Sequence, residues 1–189
     1  DMNPALFPHQ RDICLWALRG GNRAVFAAFG LGKTLIQIQL CVSIVHRYGG
    51  ISLVICPLGV KGEFVRDGRK FFGVEIQYVR TSVELEEFVA AGKSYFITNY
   101  ERVRDGDLDP NQFDVVSLDE ASVLRSYGSK TYQTFLLKFQ DVKLKFVCTA
   151  TPSPNRLKEL INYAGYIGVM ATGQALTRFF KRDPEEAGN

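Results

Sequence analysis

A chain of 189 residues with 46% apolar and 23% charged residues suits one generous globular domain and excludes wholesale disorder. Its net charge of +3 permits nucleic acid as a partner without demanding it. Cys14, Cys41, Cys56 and Cys148 form no close pair, and no run nears the ~18 apolar residues of a membrane span, so zinc sites, disulfide scaffolds and membrane proteins are set aside in favour of a cytoplasmic chain with reduced thiols.

Short apolar runs rich in β-branched residues alternate with amphipathic stretches, which is the pattern of βαβ units. In chain order the pattern predicts a helix over Pro8–Arg19 and a strand over Arg23–Ala28. A long helix over Gly32–Tyr48 follows, closed by Gly49-Gly50. Next come a strand over Ser52–Cys56, a helix over Val60–Phe72, a strand over Glu75–Val79, a helix over Val83–Ala91 and a strand over Tyr95–Thr98. After the polar loop Asp105–Asn111 the pattern gives a strand over Asp114–Leu118, a helix over Ser129–Phe139 and a strand over Lys145–Ala150. Helices over Pro154–Tyr166 and Gln174–Lys181 end the chain. Several of these strands are apolar throughout, as strands covered on both faces should be. Residues 1–189 therefore read as a single α/β domain, with a mainly parallel sheet and helices on both faces.

The first strand runs into Phe29-Gly30-Leu31-Gly32-Lys33-Thr34 and then a helix, the setting of a phosphate-binding loop. Gly30, Leu31 and Gly32 let successive N–H groups face one anion, and the following helix adds its positive end. Lys33 can reach the β- and γ-phosphates of ATP, and the Thr34 hydroxyl can coordinate Mg²⁺. The full phosphate-loop pattern wants Gly at position 27, where this chain has Ala27. A Gly-rich strand-to-helix turn with a chance Lys-Thr is the competing reading.

The run Asp114–Leu118 delivers Asp119-Glu120 at the carboxyl end of a strand, the edge where parallel sheets bind ligands. Asp119 would hold Mg²⁺ opposite Thr34, and Glu120 would orient and deprotonate an attacking water. Taken alone, the same dipeptide also fits a solvated helix N-terminus. Thr149 and Thr151 sit at i and i+2 on an extended segment, so both hydroxyls could reach the acidic pair.

Gly30–Thr34, Asp119–Ser122 and Thr149–Pro152, in that order, resemble the first RecA-like lobe of superfamily-two helicases and translocases. The nearest flavour is the Swi/Snf-like group of DEAD-like helicases, particularly those borne by phages and mobile elements. The resemblance implies that Gln10, in Leu6-Phe7-Pro8-His9-Gln10, reads the adenine edge and that Phe7 stacks on the base, although Phe7 fits a core position equally well. It implies further that the loops around Pro57, Lys61, Thr98 and Asn99 grip the sugar–phosphate backbone of DNA. Arg66, Arg69 and Lys70 share a helical face that could meet phosphates or simply be solvated.

Members of this group complete the hydrolytic site with an arginine from a second RecA-like lobe. Only 37 residues follow Pro152, too few for another lobe. The expectation is thus one helicase ATP-binding lobe, an ATP hydrolase only as part of a longer protein and weak or inactive in hydrolysis when isolated. A nucleotide-gated nucleic-acid-binding module without motor activity is the alternative.

Overall fold

The computed structural model describes residues 1–121, 134–150 and 160–179. Among these, the elements are α1 (Pro8–Gly20), β1 (Arg23–Phe26), α2 (Lys33–Tyr48), β2 (Ser52–Cys56), α3 (Lys61–Asp67), β3 (Ile76–Tyr78), α4 (Ser82–Ala90), β4 (Tyr95–Asn99), α5 (Tyr100–Arg104), β5 (Val115–Asp119), β6 (Leu144–Thr149), α6 (Leu160–Tyr166) and α7 (Thr172–Phe179). The six strands form one sheet in the order β1-β6-β5-β2-β4-β3, and every neighbouring pair is parallel.

Alternation along the strands sorts the core into two layers. Leu53 and Ile55 of β2, Phe96 of β4, Val116 and Leu118 of β5 and Val147 of β6 point to the face covered by α4, α5 and α6. Val115, Phe146, Val54 and Ile97 point to the other face, against Cys14 and Ala17 of α1, Ile36, Leu40 and Ile44 of α2 and Phe64 of α3. Burial on both faces explains the continuous apolar runs of β2 and β5. Each fully buried Ile or Leu of α2 stabilises the layer by about 1.5–3 kcal/mol.

The four cysteines are free and buried, and burial pushes the thiols of Cys14, Cys41 and Cys56 up to about 12. They serve as small apolar core residues. No helix among the described residues is long and apolar enough to cross a membrane.

Departures from the predicted elements have local causes. The expected helix Val60–Phe72 is three pieces: a 3-10 turn over Leu58–Val60, then α3, then a π turn over Gly68–Phe72. A Cβ on Gly68 would stand 2.7 Å from Ile76 Cδ1, so glycine allows this turn to lean on β3. Helix α5 was not expected, because five residues are too few to show a helical period. β5 begins one residue later than predicted, and at that boundary the Asp114 carboxylate accepts from Lys143 Nζ at 2.8 Å and from the Ile51 N–H at 3.0 Å. Within the expected helix Ser129–Phe139, residues 134–137 are helical and the rest is turn or outside the described residues. The expected helix Pro154–Tyr166 is described only from Leu160, and α7 begins two residues before its predicted start.

Candidate functional site

The sheet's parallel strands all end on one edge, and the chemistry-bearing residues lie along it in strand order. The loop after β1 carries Gly30–Thr34, β6 ends at Thr149, β5 ends at Asp119, β2 leads into Pro57 and β4 ends at Asn99.

At the β1 end, Gly30 and Gly32 have φ of 82° and 72°, the left-handed values that turn the backbone under an anion. A Cβ on Gly32 would overlap the Gln10 side-chain amide nitrogen, so beyond the strain of its φ any other residue there must push the end of the Gln10 side chain aside. Gln10 is buried; its Nε2 donates to the Leu31 carbonyl at 3.0 Å, and its Oε1 accepts the Phe7 N–H at 2.9 Å. Gln10 therefore lashes α1 to the phosphate loop, and reading an adenine edge requires it to release one of these partners. Phe7 is 64% exposed and stacked on His9 at 6.0 Å, which removes the core alternative for this ring. Lys33 Nζ lies 4.8 Å from the centroid of the exposed Phe29 ring.

At the β5 end, Asp119 is only 8% exposed, which excludes a solvated helix N-terminus. Its Oδ1 accepts from Gln37 Nε2 at 2.7 Å, and Gln37 Oε1 accepts from Ser117 Oγ at 2.7 Å. Tyr100 OH donates to the Asp119 carbonyl at 2.8 Å. Burial raises the Asp119 carboxyl to about 6; the Gln37 hydrogen bond and Lys33 oppose the rise, while Glu120 and Glu63 add to it. Asp119 thus feels the charges of Lys33, Glu63 and Glu120.

Glu120 is the only non-glycine residue with positive φ among the described residues, at 48°. Holding it there costs on the order of 1–2 kcal/mol. The Glu120 N–H donates to the Cys148 carbonyl at 2.8 Å, and its Oε1 accepts from Thr149 Oγ1 at 3.1 Å. The twist after Asp119 therefore points two adjacent carboxylates in different directions, one into the α2 layer and one onto β6. Thr151 lies outside the described residues.

No group of three or more His, Cys, Asp or Glu suited to a metal ion occurs among the described residues. The oxygen donors on this part of the edge are the Thr34 hydroxyl, which donates to Glu63 Oε1 at 2.8 Å, and the buried Asp119 carboxylate at the end of β5. That sparse oxygen set fits Mg²⁺, which keeps most of its waters and takes one or two protein ligands beside phosphate oxygens.

At the β4 end, Cys56 and Asn99 are partners in the ladder, so the Pro57 loop and the Asn99 turn are neighbours. Lys61 Nζ stands 4.0 Å over the Tyr78 ring, and Tyr78 OH donates to Asn99 Oδ1 at 2.8 Å. Tyr78 thereby joins Lys61 to Asn99 in one cluster. Thr98 does not join it: the side chain is buried and its hydroxyl donates to the Val79 carbonyl at 2.7 Å. In this structure the phosphate contact expected of Thr98 has no exposed hydroxyl to make it. Beside the cluster, Lys61, Gly62, Val65, Arg66, Arg69 and Lys70 line a groove of about 590 Å³.

A family model for the SNF2-related domain matches residues 24–182. The chain belongs to the SNF2-related domain family. Among solved structures, this SNF2-related domain is similar to the SWI2/SNF2 ATPase core of Sulfolobus solfataricus in complex with dsDNA, at 20% identity and a TM-score of 0.77. That match covers 100% of this chain and 41% of the archaeal one. The UvsW helicase of bacteriophage T4 matches at 16% identity and TM-score 0.67, over 88% of this chain and 58% of that one. The Hef helicase domain of Pyrococcus furiosus matches at 18% identity and TM-score 0.67, over 85% and 36%. The SNF2-related domain thus spans less than two thirds of each of these structures, and shares with them a RecA-like helicase-core fold. No curated protein matches the sequence.

Three residues of this SNF2-related domain escaped the sequence reading. Gln37 is a polar residue on the buried face of α2, three positions after Thr34, and that misplaced polarity was its only signal. Tyr78 ends a three-residue strand with no motif around it. Glu63 accepts a hydrogen bond from Thr34 Oγ1 at 2.8 Å, a contact between residues 29 apart in sequence.

Proposed function

We propose that this SNF2-related domain is the ATP-binding lobe of an ATP-dependent DNA helicase or translocase, coupling Mg–ATP binding and hydrolysis to movement on nucleic acid. The observation that carries the reading is the convergence on one sheet edge of the Gly30–Thr34 loop and the Asp119-Glu120 pair, with the Lys61–Tyr78–Asn99 cluster on the same edge. Lys33 and the loop N–H groups hold the β- and γ-phosphates, Gln10 and Phe7 flank the base, and Thr34 and Asp119 take the metal. Bound Mg²⁺ would supply charge neutralisation at the phosphates. Glu120 accepts a proton from the attacking water, and Thr149, with Thr151 as its expected companion, couples the acidic pair to β6. Pro57 and Lys61 contact the backbone of DNA, and Asn99, which is buried and bonded to Tyr78 and Glu101, joins them by releasing one of these partners, as phosphate contacts position a protein without reading sequence.

Hydrolysis also needs positive charge at the γ-phosphate beyond Lys33, worth several powers of ten in rate. An arginine from a second RecA-like lobe is the proposed source, so this chain alone binds nucleotide and turns it over slowly. The buried, unpaired cysteines suit a reducing compartment inside the cell.

The test is fluorescent-ATP binding and steady-state ATPase, with and without duplex DNA, on this chain and on Lys33→Ala. Mg-dependent binding lost in Lys33→Ala, with slow turnover, is expected. Absence of any nucleotide binding overturns the reading. Fast DNA-stimulated turnover by this chain alone overturns the need for a second lobe. Nucleotide-dependent DNA affinity without any hydrolysis, even in a longer protein, would establish the gated binding module instead.

A further inference from the structure

Helix α3 touches both ends of the edge. Its first turn holds Glu63, and its outer side holds Lys61, Val65 and Arg66 of the basic groove. Glu63 Oε1 accepts from Thr34 Oγ1 at 2.8 Å, and the Glu63 charge is felt at Asp119. Among the described residues, Glu63 forms no salt bridge with a Lys or Arg. Glu63 is exposed, and its carboxylate is turned to the Thr34 hydroxyl at the start of α2.

A threonine hydroxyl has one proton and two lone pairs. With the proton committed to Glu63, both lone pairs turn away from α3. A cation that takes one of them leaves the O–H···carboxylate bond in place and strengthens it, because the donor becomes more acidic.

We propose that Glu63 is a positioning residue for the Mg²⁺ site: it fixes the Thr34 hydroxyl with a lone pair toward the metal and ties that geometry to α3, the helix beside the nucleic-acid surface. The proposal rests on Thr34 being a metal ligand. Polyanion held along Lys61, Arg66, Arg69 and Lys70 steadies α3, and with it the Glu63–Thr34 bond, so DNA tightens Mg²⁺ binding.

The experiment titrates Mg²⁺ into the full 189-residue chain with a fluorescent ATP analogue, with and without a duplex oligonucleotide, and repeats the nucleotide titration in EDTA. Glu63→Ala is expected to raise the Mg²⁺ midpoint about tenfold, the effect of one lost hydrogen bond to a charged acceptor. Affinity in EDTA should not change, and Glu63→Gln, which keeps an acceptor oxygen, should recover most of the effect. The oligonucleotide should lower the midpoint of the parent chain and not that of Glu63→Ala. Thr34→Val separates the failures. If Thr34→Val shifts the midpoint and Glu63→Ala does not, the role of Glu63 is overturned while the nucleotide site stands. If neither shifts it, Thr34 is not a ligand and the metal site itself falls. Equal losses with Mg²⁺ and in EDTA would mark Glu63 as merely structural. An oligonucleotide effect that survives in Glu63→Ala would overturn the link through α3.

Discussion

The two ends of the sheet edge are built on opposite principles. Around β1, β6 and β5 the polar groups are buried and bonded to one another: Gln10 to Leu31, Gln37 to Asp119 and Ser117, Thr149 to Glu120. Around β2, β4 and β3 the cations Arg66, Arg69 and Lys70 are exposed on a short helix and its π turn, and Lys61 rests on an aromatic ring. A buried hydrogen-bonded site depends on geometry, since leaving one partner unpaired costs about 1–3 kcal/mol. An exposed cationic face depends on charge, and its contributions add. The nucleotide end should therefore fail abruptly under single changes, and the other end should fade in proportion to charge removed.

The largest effect should come from Lys33→Ala. It removes the cation that meets the phosphates while leaving the fold intact, since the packing given up is with the exposed Phe29 ring. Nucleotide affinity should fall by about 100-fold, in line with ~3 kcal/mol for a lost charge-assisted contact, with an unchanged melting curve. A loss below about threefold would break the contrast at its strongest point.

Asp119→Asn tests the same end through pH. The folded carboxyl is raised to about 6 from 3.8, so the protonated form is favoured by folding. The folded state binds more protons between these values, so stability falls as pH rises from about 4 to 6 and the ionised group is a net cost above that window. Asn keeps the acceptor oxygen for Gln37 and carries no charge. The variant should melt higher at pH 7, by up to about 3 kcal/mol, lose that advantage near pH 4, and bind nucleotide without a response to Mg²⁺. In the parent chain, Mg-dependent binding should weaken below about pH 6 as the carboxylate protonates.

Gly32→Ala should cost about 2 kcal/mol of stability, because alanine at φ 72° is strained and its methyl displaces Gln10. A further Gln10→Ala change should recover the part due to crowding and leave the conformational part. Denaturant midpoints of the two variants measure that split. Equal stability in both would mean that Gln10 is not the residue the methyl meets.

How much of this was legible beforehand follows the range of each interaction. The six strands, the phosphate loop and the Asp119-Glu120 turn depend on neighbours in sequence: β-branched runs, Gly30 and Gly32, and a strand leading into an acid. Those were readable. Gln37 on Ser117 and Glu63 on Thr34 join residues 80 and 29 apart, and neither pairing can be read before the strand order is known. Thr98 shows the converse, a polar residue in a motif-like loop that the ladder turns inward to Val79. Thr98 and Asn99 read alike in sequence as phosphate contacts, and the structure buries both, Asn99 with its Oδ1 under Tyr78 OH.

The smallest expected effect belongs to the charged end and decides whether the contrast holds. Lys61→Ala removes one half-buried cation, so it should weaken DNA binding by roughly 1 kcal/mol at low salt. It should also lower the slope of log affinity against log salt by about one. Arg69→Ala should do the same, and the two together should add, because neither leaves a buried partner behind. Asn99→Ala is the informative contrast: it removes no charge, so the salt slope should stay, yet it deprives Tyr78 OH of its acceptor under Lys61. If Asn99→Ala lowered the slope as much as Lys61→Ala, the Tyr78 platform would be setting where the Lys61 ammonium sits. The exposed end would then be governed by geometry after all, like the buried one.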